Sequence, residues 1–371
     1  MKLRDARLKA LILAGGFGTR LRPLSCTRPK LLFPVMNKPI LDWTLEKLAK
    51  NGVKEVMLAV NYMAENLMQH YGNSKYKMKI LYSKEDRPLG TAGPVKNAEK
   101  LIGHEEPFLV LNGDILTNMN YTELIEKHRE NDTVATITLC EVDDPSRYGI
   151  AELTEGKRII RFIEKPAYEK APTNLANAGV YALDPEIFDY ISSDRPVSIE
   201  RETFPILARE GKLYGHHFKG LWIDTGKLAD YIKANNLFLD LTLKESHLRS
   251  SERVNDQIEI KEPSVIGDKV IIGRRSRIGP YATIGDHTTF GNGVHIENSI
   301  IFPNTVISDF TSIKNAVIGE GVVIGRRVKI EDGCVIGDRT RIGDNVTLSR
   351  DVTVCPFKEV SESVLVPKCL M

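Results

Sequence analysis

Residues 8–14 form a short, unbroken apolar run, the pattern of a strand buried on both faces of a parallel sheet. Residues 39–50 carry Ile40, Leu41, Trp43, Leu45 and Leu48 and stop at Asn51-Gly52, which predicts a helix. A second strand is predicted over 53–60, a second helix over 63–71 and a third strand over 78–82. A loop at 83–90 leads to a helix from about Thr91, and the apolar run 108–111 ends at Asn112-Gly113-Asp114. Strands alternating with helices predict an α/β domain built on a mostly parallel sheet. Such sheets bind ligands on the loops beyond the carboxyl ends of their strands. The alternation continues, less regularly, to about Leu241.

From about Glu259 the period changes to six. Counting from Ile260 gives Ile266, Ile272, Ile278, Ile284, Phe290 and Ile296. After a slip of one residue it continues through Ile301, Ile307 and Ile313, and after a second slip through Ile318, Ile324, Ile330, Ile336, Ile342 and Leu348. Small or β-branched residues stand four places after most anchors, for example Ala282, Thr288, Val328 and Cys334. Glycine follows many anchors, as at Gly267 and Gly325. No α-helix has this period; hexapeptide repeats of a parallel β-helix do. Roughly sixteen hexads at three per coil predict about five coils. The expected division is 1–241, a polar linker at 242–258, and a repeat domain at 259–371 whose tail from Pro356 leaves the period.

Composition narrows the possibilities. A chain of 371 residues is long enough for two or three domains. Lys plus Arg total 51 against 49 for Asp plus Glu, so no global field marks it as a nucleic-acid or membrane-surface protein. No apolar run reaches membrane-spanning length, and the charged N-terminus lacks a signal-peptide core. Five scattered cysteines without a Cys-x-x-Cys pair argue against a disulfide framework or zinc site and fit a cytoplasmic protein.

The most informative segment is Leu13-Ala14-Gly15-Gly16-Phe17-Gly18-Thr19-Arg20, closed by Arg28-Pro29-Lys30. A glycine-rich turn after a strand lets backbone N–H groups approach phosphate oxygens. It is no P-loop, because the Gly-Lys-Ser/Thr ending is missing, and Leu21 stands where a dinucleotide fingerprint needs its third glycine. Arg20 and Lys30 supply fixed cations instead. On spacing alone, a glycine-rich turn with solvated basic residues remains the alternative.

The stretch from Gly15 to Lys30 resembles the signature of the sugar-1-phosphate nucleotidylyltransferases, or nucleotide-sugar pyrophosphorylases. Further landmarks follow in order: the loop Pro88 to Pro94, Asn112-Gly113-Asp114, Tyr148-Gly149, Glu164-Lys165-Pro166, the run Asn177 to Tyr181, and Trp222-Ile223-Asp224-Thr225-Gly226. Within the family the chain is most similar to the mannose-1-phosphate guanylyltransferase branch, through Glu85 to Pro94, Ser198 to Pro205 and the repeat domain. Gly113 departs from the serine usual there. The resemblance implies a Rossmann-like catalytic domain followed by a left-handed β-helix.

It also implies a chemistry. A sugar-1-phosphate oxygen attacks the α-phosphate of an NTP and pyrophosphate leaves. With a second pKa of about 6, the phosphate monoester needs no side-chain base. The demand is for cations where two anions meet. By resemblance, Leu13, Ala14, Gly15, Gly16, Gly18 and Thr19 cradle the nucleotide, with Arg20 and Lys30 neutralising the reacting groups. Glu85, Gly90, Thr91 and Asn112 would recognise base and ribose. Tyr148, Gly149, Glu164, Lys165, Asn177 and Gly179 would hold the sugar phosphate, and Asp114 and Asp224 would ligate Mg²⁺. GTP and mannose-1-phosphate are the expected substrates.

Blander assignments exist. Asp114 and Asp224, taken singly, are more often helix caps or turn residues. Glu164-Lys165-Pro166 also reads as a surface turn with a solvated ion pair. Trp222 reads as core or pocket wall, Cys334 as core, and His287 and His295 as β-helix surface; His216-His217 has no partner spacing for a metal. Alternative functions are a glucose-1-phosphate thymidylyl- or uridylyltransferase, a non-catalytic regulatory subunit, or an acyltransferase. The intact Arg20, Lys30, Asp114, Lys165 and Asp224 weigh against the regulatory subunit. Repeats nearly free of insertions weigh against the acyltransferase and favour an assembly role, with self-association into a homo-oligomer.

Overall fold

The computed structural model describes residues 8–245 and 257–371. The charged N-terminus at 1–7 and most of the expected linker, 246–256, lie outside the described residues. The linker's first four residues continue the helix Leu228–Glu245. The chain forms two compact units, Met1–Gly16 with Leu41–Ile223, and Phe17–Ile40 with Asp224–Met371. The boundary expected at 241 follows chain order; the compact units follow contacts, which group the signature segment from Phe17 onward with the repeats.

The first unit is built on a ten-stranded sheet. Its strands are β1 (Lys9–Leu13), β2 (Glu55–Val60), β3 (Ser74–Lys75), β4 (Met78–Lys84), β5 (Phe108–Asn112), β6 (Ala135–Glu141), β7 (Gly149–Leu153), β8 (Ile159–Glu164), β9 (Leu175–Leu183) and β10 (Leu213–His217). The order is β8-β7-β9-β5-β1-β2-β4-β3, with β6 on β9 and β10 on β6. The four strands nearest the N-terminal motif, β5, β1, β2 and β4, are parallel, as the alternation predicts. Beyond them the sheet is mixed: β9 runs antiparallel to β5, β6 and β7, whereas β10 is again parallel to β6. β7 and β8, with no helical crossover between them, also pair antiparallel as neighbours.

The apolar patterns are borne out as core. Ala10, Leu11 and Ile12 of β1 and Val56 to Val60 of β2 are fully buried. The helix Ile40–Lys50 buries Ile40, Leu41, Leu45 and Leu48, while Trp43 is half-buried. The helix expected from Thr91 is two short pieces, Gly93–Asn97 and Glu99–Ile102.

In the second unit the hexads wind into three parallel sheets of six, seven and six strands. Three apolar ladders result. One runs Ile260, Ile278, Ile296, Ile313, Ile330, Leu348; a second includes Ile284, Ile301, Ile318 and Ile336; a third includes Phe290, Ile307, Ile324 and Ile342. Ile278 pairs with Ile296, 18 residues on, and Ile296 with Ile313, 17 on, which is the origin of the slipped register. The stack has one coil more than five. Val354 and Val360 extend two ladders, and Cys369–Leu370 adds a last rung. The tail from Pro356 therefore does not leave the period at once.

Glycines after the anchors answer close approach between coils. A Cβ on Gly285 would lie 2.5 Å from Pro303 N on the next coil. The corners use left-handed residues that need not be glycine, such as Arg275 (φ 59°), Phe310 (φ 60°) and Arg327 (φ 55°). Cys334 is fully buried and His287 and His295 are exposed, as expected.

Candidate active site

The carboxyl ends of β1, β2, β4 and β5 bring together the first-unit half of the signature. Leu13 is in register with Asn112, and the Gly113 N–H donates to Leu13 O at 3.1 Å. The Ala14 N–H donates to Ala59 O at 2.8 Å, and the Glu85 N–H to Val60 O at 3.0 Å. Gly15, Gly16, Glu85, Asn112 and Asp114 thus emerge at one edge of adjacent parallel strands, where such sheets bind ligands. A Cβ on Gly15 would stand 3.1 Å from Asn61 Cβ and 3.4 Å from Glu85 Oε1, whereas Gly16 opens onto free space. Glu85 is 8% exposed; burial raises its pKa, and the Leu89 N–H, 3.2 Å from Oε2, partly offsets this.

The loop after Glu85 is stitched to the strand-like residue Val197. Gly90 (φ 82°) bridges it so closely that a Cβ would meet Val197 O at 2.3 Å. The Val197 N–H donates to Leu89 O and the Ala92 N–H to Val197 O, both at 2.9 Å. Thr91, expected to recognise base or ribose, spends its hydroxyl on Glu200 Oε2 at 2.5 Å and accepts from the Ile199 N–H at 2.9 Å. Its side chain organises the loop.

The residues expected to hold the sugar phosphate converge on β7, β8 and β9. Gly149 is in register with Glu164, and a Cβ on it would meet Glu164 Oε2 at 2.7 Å. Lys165 follows in the left-handed conformation (φ 49°), its N–H donating to Tyr148 O at 3.0 Å. Its ammonium lies 3.5 Å from Glu164 Oε1 and is largely exposed, so it can leave that carboxylate for a phosphate. Burial raises the Glu164 pKa and Glu200 adds to this, against Lys165. Asn177 Oδ1 accepts from the Gly179 N–H at 2.9 Å, and its Nδ2 donates to Tyr181 OH at 3.0 Å. Trp222 packs on the small core of Cys140, Ile150, Ala176 and Ala178: it donates from Nε1 to Ala178 O at 2.8 Å and meets Tyr148 edge-on, with centroids 5.2 Å apart.

Sequence reasoning missed Glu200 as a site-shaping residue. Its signal was present in Ser198-Ile199-Glu200, which carries the partners of Thr91.

The second unit holds Gly18, Thr19, Arg20, Lys30 and Asp224. Gly18 (φ 59°) turns the chain into the 3₁₀ turn Thr19–Leu21; a Cβ there would meet Ser25 Cβ at 3.2 Å and Lys30 Cβ at 3.5 Å. Lys30 is 8% exposed and opens the turn Lys30–Leu32. Arg20 is exposed and lies near Asp224: Arg20 Nη2 and Asp224 Oδ1 are each 2.9 Å from where a Gly226 Cβ would stand. Asp224 Oδ1 accepts from the Gly226 N–H at 2.8 Å.

The segment is fastened on both sides of Lys30. Arg28 Nη2 donates to Glu320 Oε2 at 2.6 Å and to Asp338 Oδ2 at 2.7 Å, with its Cζ 5.2 Å from the Phe302 ring centroid. Burial works against the Arg28 charge, but Asp338 and Glu320 outweigh it and hold the pKa above the usual value. Phe33 packs edge-on against Tyr231 and Phe302, and Tyr231 OH donates to Pro34 O at 2.5 Å.

Among the described residues no cluster of three or more His, Cys, Asp or Glu suits a metal. Asp114 and Asp224 each offer carboxylate oxygens at a strand end. That donor type fits Mg²⁺, which completes its shell with phosphate oxygens and water. Among the described residues no helix is long and apolar enough to cross a membrane.

Comparison with known proteins agrees with this geometry. Residues 9–240 match the nucleotidyl transferase family model, and residues 252–370 match the GMPPB C-terminal domain. The chain is 42% identical over 243 residues to a mannose-1-phosphate guanyltransferase of Yarrowia lipolytica, covering 64% of this chain and 66% of that protein. It is 41% identical over 268 residues to mannose-1-phosphate guanylyltransferase 1 of Arabidopsis thaliana, covering 70% of this chain and 73% of the relative. The matched stretch thus spans just under two thirds of the fungal relative's length. Among solved structures, a putative glucose-1-phosphate thymidylyltransferase from Bacillus anthracis superposes with TM-score 0.57 at 25% identity, covering 62% of this chain and 94% of that one. With a family model spanning most of its length and an N-terminal sheet to match, the chain belongs to the nucleotidyl transferase family.

Proposed function

We propose that this protein joins a sugar-1-phosphate to an NTP with release of pyrophosphate, using GTP and mannose-1-phosphate to make GDP-mannose. The observation that carries this reading is the gathering of Gly15, Gly16, Glu85, Asn112 and Asp114 at one edge of four parallel strands, in a unit that also holds Glu164 and Lys165. The names of the yeast and plant relatives support the choice of substrates.

In this reading the signature backbone at Gly15 and Gly16 approaches the triphosphate, and Arg20 and Lys30 offset its charge. Lys165 takes the sugar phosphate, while Glu164 and Asn177 face sugar hydroxyls. An oxygen of the already dianionic monoester forms a bond to the α-phosphorus as the bond to the β-phosphate oxygen breaks. Pyrophosphate carries the electron pair away. Asp114 and Asp224 would hold a Mg²⁺ ion, which supplies charge neutralisation at the phosphates. Exposed Ile271, Phe310 and Phe357 on the repeats support self-association, and a cytoplasmic setting belongs to the same reading.

The test is pyrophosphate release with Mg²⁺ across GTP, dTTP, UTP and ATP, each paired with mannose- and glucose-1-phosphate. Best turnover with GTP and mannose-1-phosphate is expected. A preference for dTTP or UTP with glucose-1-phosphate would replace these substrates, and no turnover with any pair would replace the reading by a regulatory subunit.

A further inference from the structure

We propose that the hexapeptide repeats hold the signature segment in working position through one ionic latch, in which Asp338 and Glu320 clasp Arg28. The three are positioning residues for Lys30. The inference rests on the reading of Lys30 as a phosphate-binding cation.

Asp338 does two jobs with two oxygens. Its Oδ1 accepts from the Glu320 N–H at 2.8 Å. That bond is ordinary repeat architecture, since Asp286 accepts in the same way from the Asp268 N–H and Asp344 from the Arg326 N–H, at 2.8 and 2.7 Å. Asp338 Oδ2 is different. It accepts from Arg28 Nη2 and from Thr27 Oγ1, both at 2.7 Å, and its side chain is 6% exposed. The same corner that elsewhere closes a coil is here turned onto the signature segment.

The latch lies two residues before Lys30, and Phe33, three residues after it, is packed against Phe302 and Tyr231. Phe302 also lies under the Arg28 guanidinium, so one aromatic ring on the repeats backs both fastenings. The intervening Pro29 fixes its own φ and leaves little slack. With fastenings two residues before Lys30 and three residues after it, the repeats set where the Lys30 backbone lies.

Asp338→Asn keeps the Oδ1 acceptor and removes the charge; Asp344→Asn makes the same change at a corner with no bond to the signature segment. Two readouts are compared, hydrogen exchange of the amides at 17–33 and the split between nucleotide KM and kcat at saturating sugar phosphate. Asp338→Asn is expected to speed exchange and raise nucleotide KM on the order of tenfold, the scale of coupling through a packed network. Asp344→Asn should leave both at wild-type values, and Arg28→Lys should fall between Arg28→Ala and wild type. Should Asp338→Asn prove unstable, Glu320→Gln, at a partly exposed carboxylate, gives the same pattern with a smaller shift. Indistinguishable behaviour of the Asp338 and Asp344 variants in both readouts would overturn the latch. A wild-type protein without turnover on any nucleotide would instead remove the reading of Lys30, and the exchange comparison would still decide whether the latch exists.

Discussion

Gly179 and Asn112 face each other across β9 and β5 at a distance that leaves no room for a side chain: a Cβ on Gly179 would stand 2.5 Å from Asn112 Nδ2. The glycine also sits at φ 70°, where other residues are strained. Gly179→Ala therefore has two effects. The backbone cost is about 1–2 kcal/mol, visible as a lowered Tm. The displaced Asn112 amide should raise the nucleotide KM, whereas Gly16→Ala, with open space around its Cβ, should leave Tm nearly unchanged. Thermal unfolding and steady-state kinetics of the two variants check this.

Glu164 gives the protein a pH signature. Burial and then Glu200 raise its pKa, while Lys165 pulls the other way. A carboxyl whose folded pKa is raised above the unfolded value of about 4.3 binds its proton more tightly in the native state. Its stabilising contribution is therefore fully present below that value and is lost as pH rises through the folded pKa. Relative to wild type, Glu164→Gln should gain stability as pH rises through this window and then run parallel. Glu200→Gln should shift the window downward. Denaturant unfolding across pH 4 to 7 measures both, and identical pH curves for wild type and Glu164→Gln would remove the argument.

These features were unequally visible in the sequence. The ladders were legible because isoleucine recurs at every anchor from Ile260 to Ile342 with few exceptions; Val354 and Val360 were missed where the residue type weakened. The corners gave no sign, because Arg275, Phe310 and Arg327 share a left-handed backbone without sharing chemistry. The parallel half of the sheet followed from strand–helix alternation, while the antiparallel turn of β9 depends on pairings between segments far apart in the chain. Among the candidate site residues, Gly15, Glu164 and Asn177 were named by motif. The engagement of Thr91 by Glu200 spans 109 residues, and the clasp of Arg28 by Asp338 spans 310. No local pattern reports such distances.

The ladders predict where the repeat domain is weakest. Ile318 is fully buried and paired on both sides, with Ile301 and Ile336. Removing its side chain leaves a cavity that coils above and below cannot both close, and Ile318→Ala should cost about 2–5 kcal/mol. Val360 is 6% exposed near the end of its ladder, so Val360→Ala should cost clearly less. Urea unfolding of the two variants compares them directly.

The two aspartates assigned to the metal are the sharpest test of the chemistry. Asp224→Asn retains the Oδ1 acceptor for the Gly226 N–H, so the turn after the strand should survive. What it loses is charge, beside the Arg20 guanidinium and at the phosphates. Asp114→Asn makes the same change at the end of β5, where the Gly113 N–H already has a backbone acceptor in Leu13 O. Both variants should therefore melt near wild type while turnover falls on the order of a hundredfold or more, with a higher Mg²⁺ requirement. Chelation with EDTA should abolish wild-type turnover, and added Mg²⁺ should restore it. An unchanged Mg²⁺ titration in either variant at wild-type rate would show that its carboxylate takes no part in holding the ion, and would return that aspartate to the role of a turn residue.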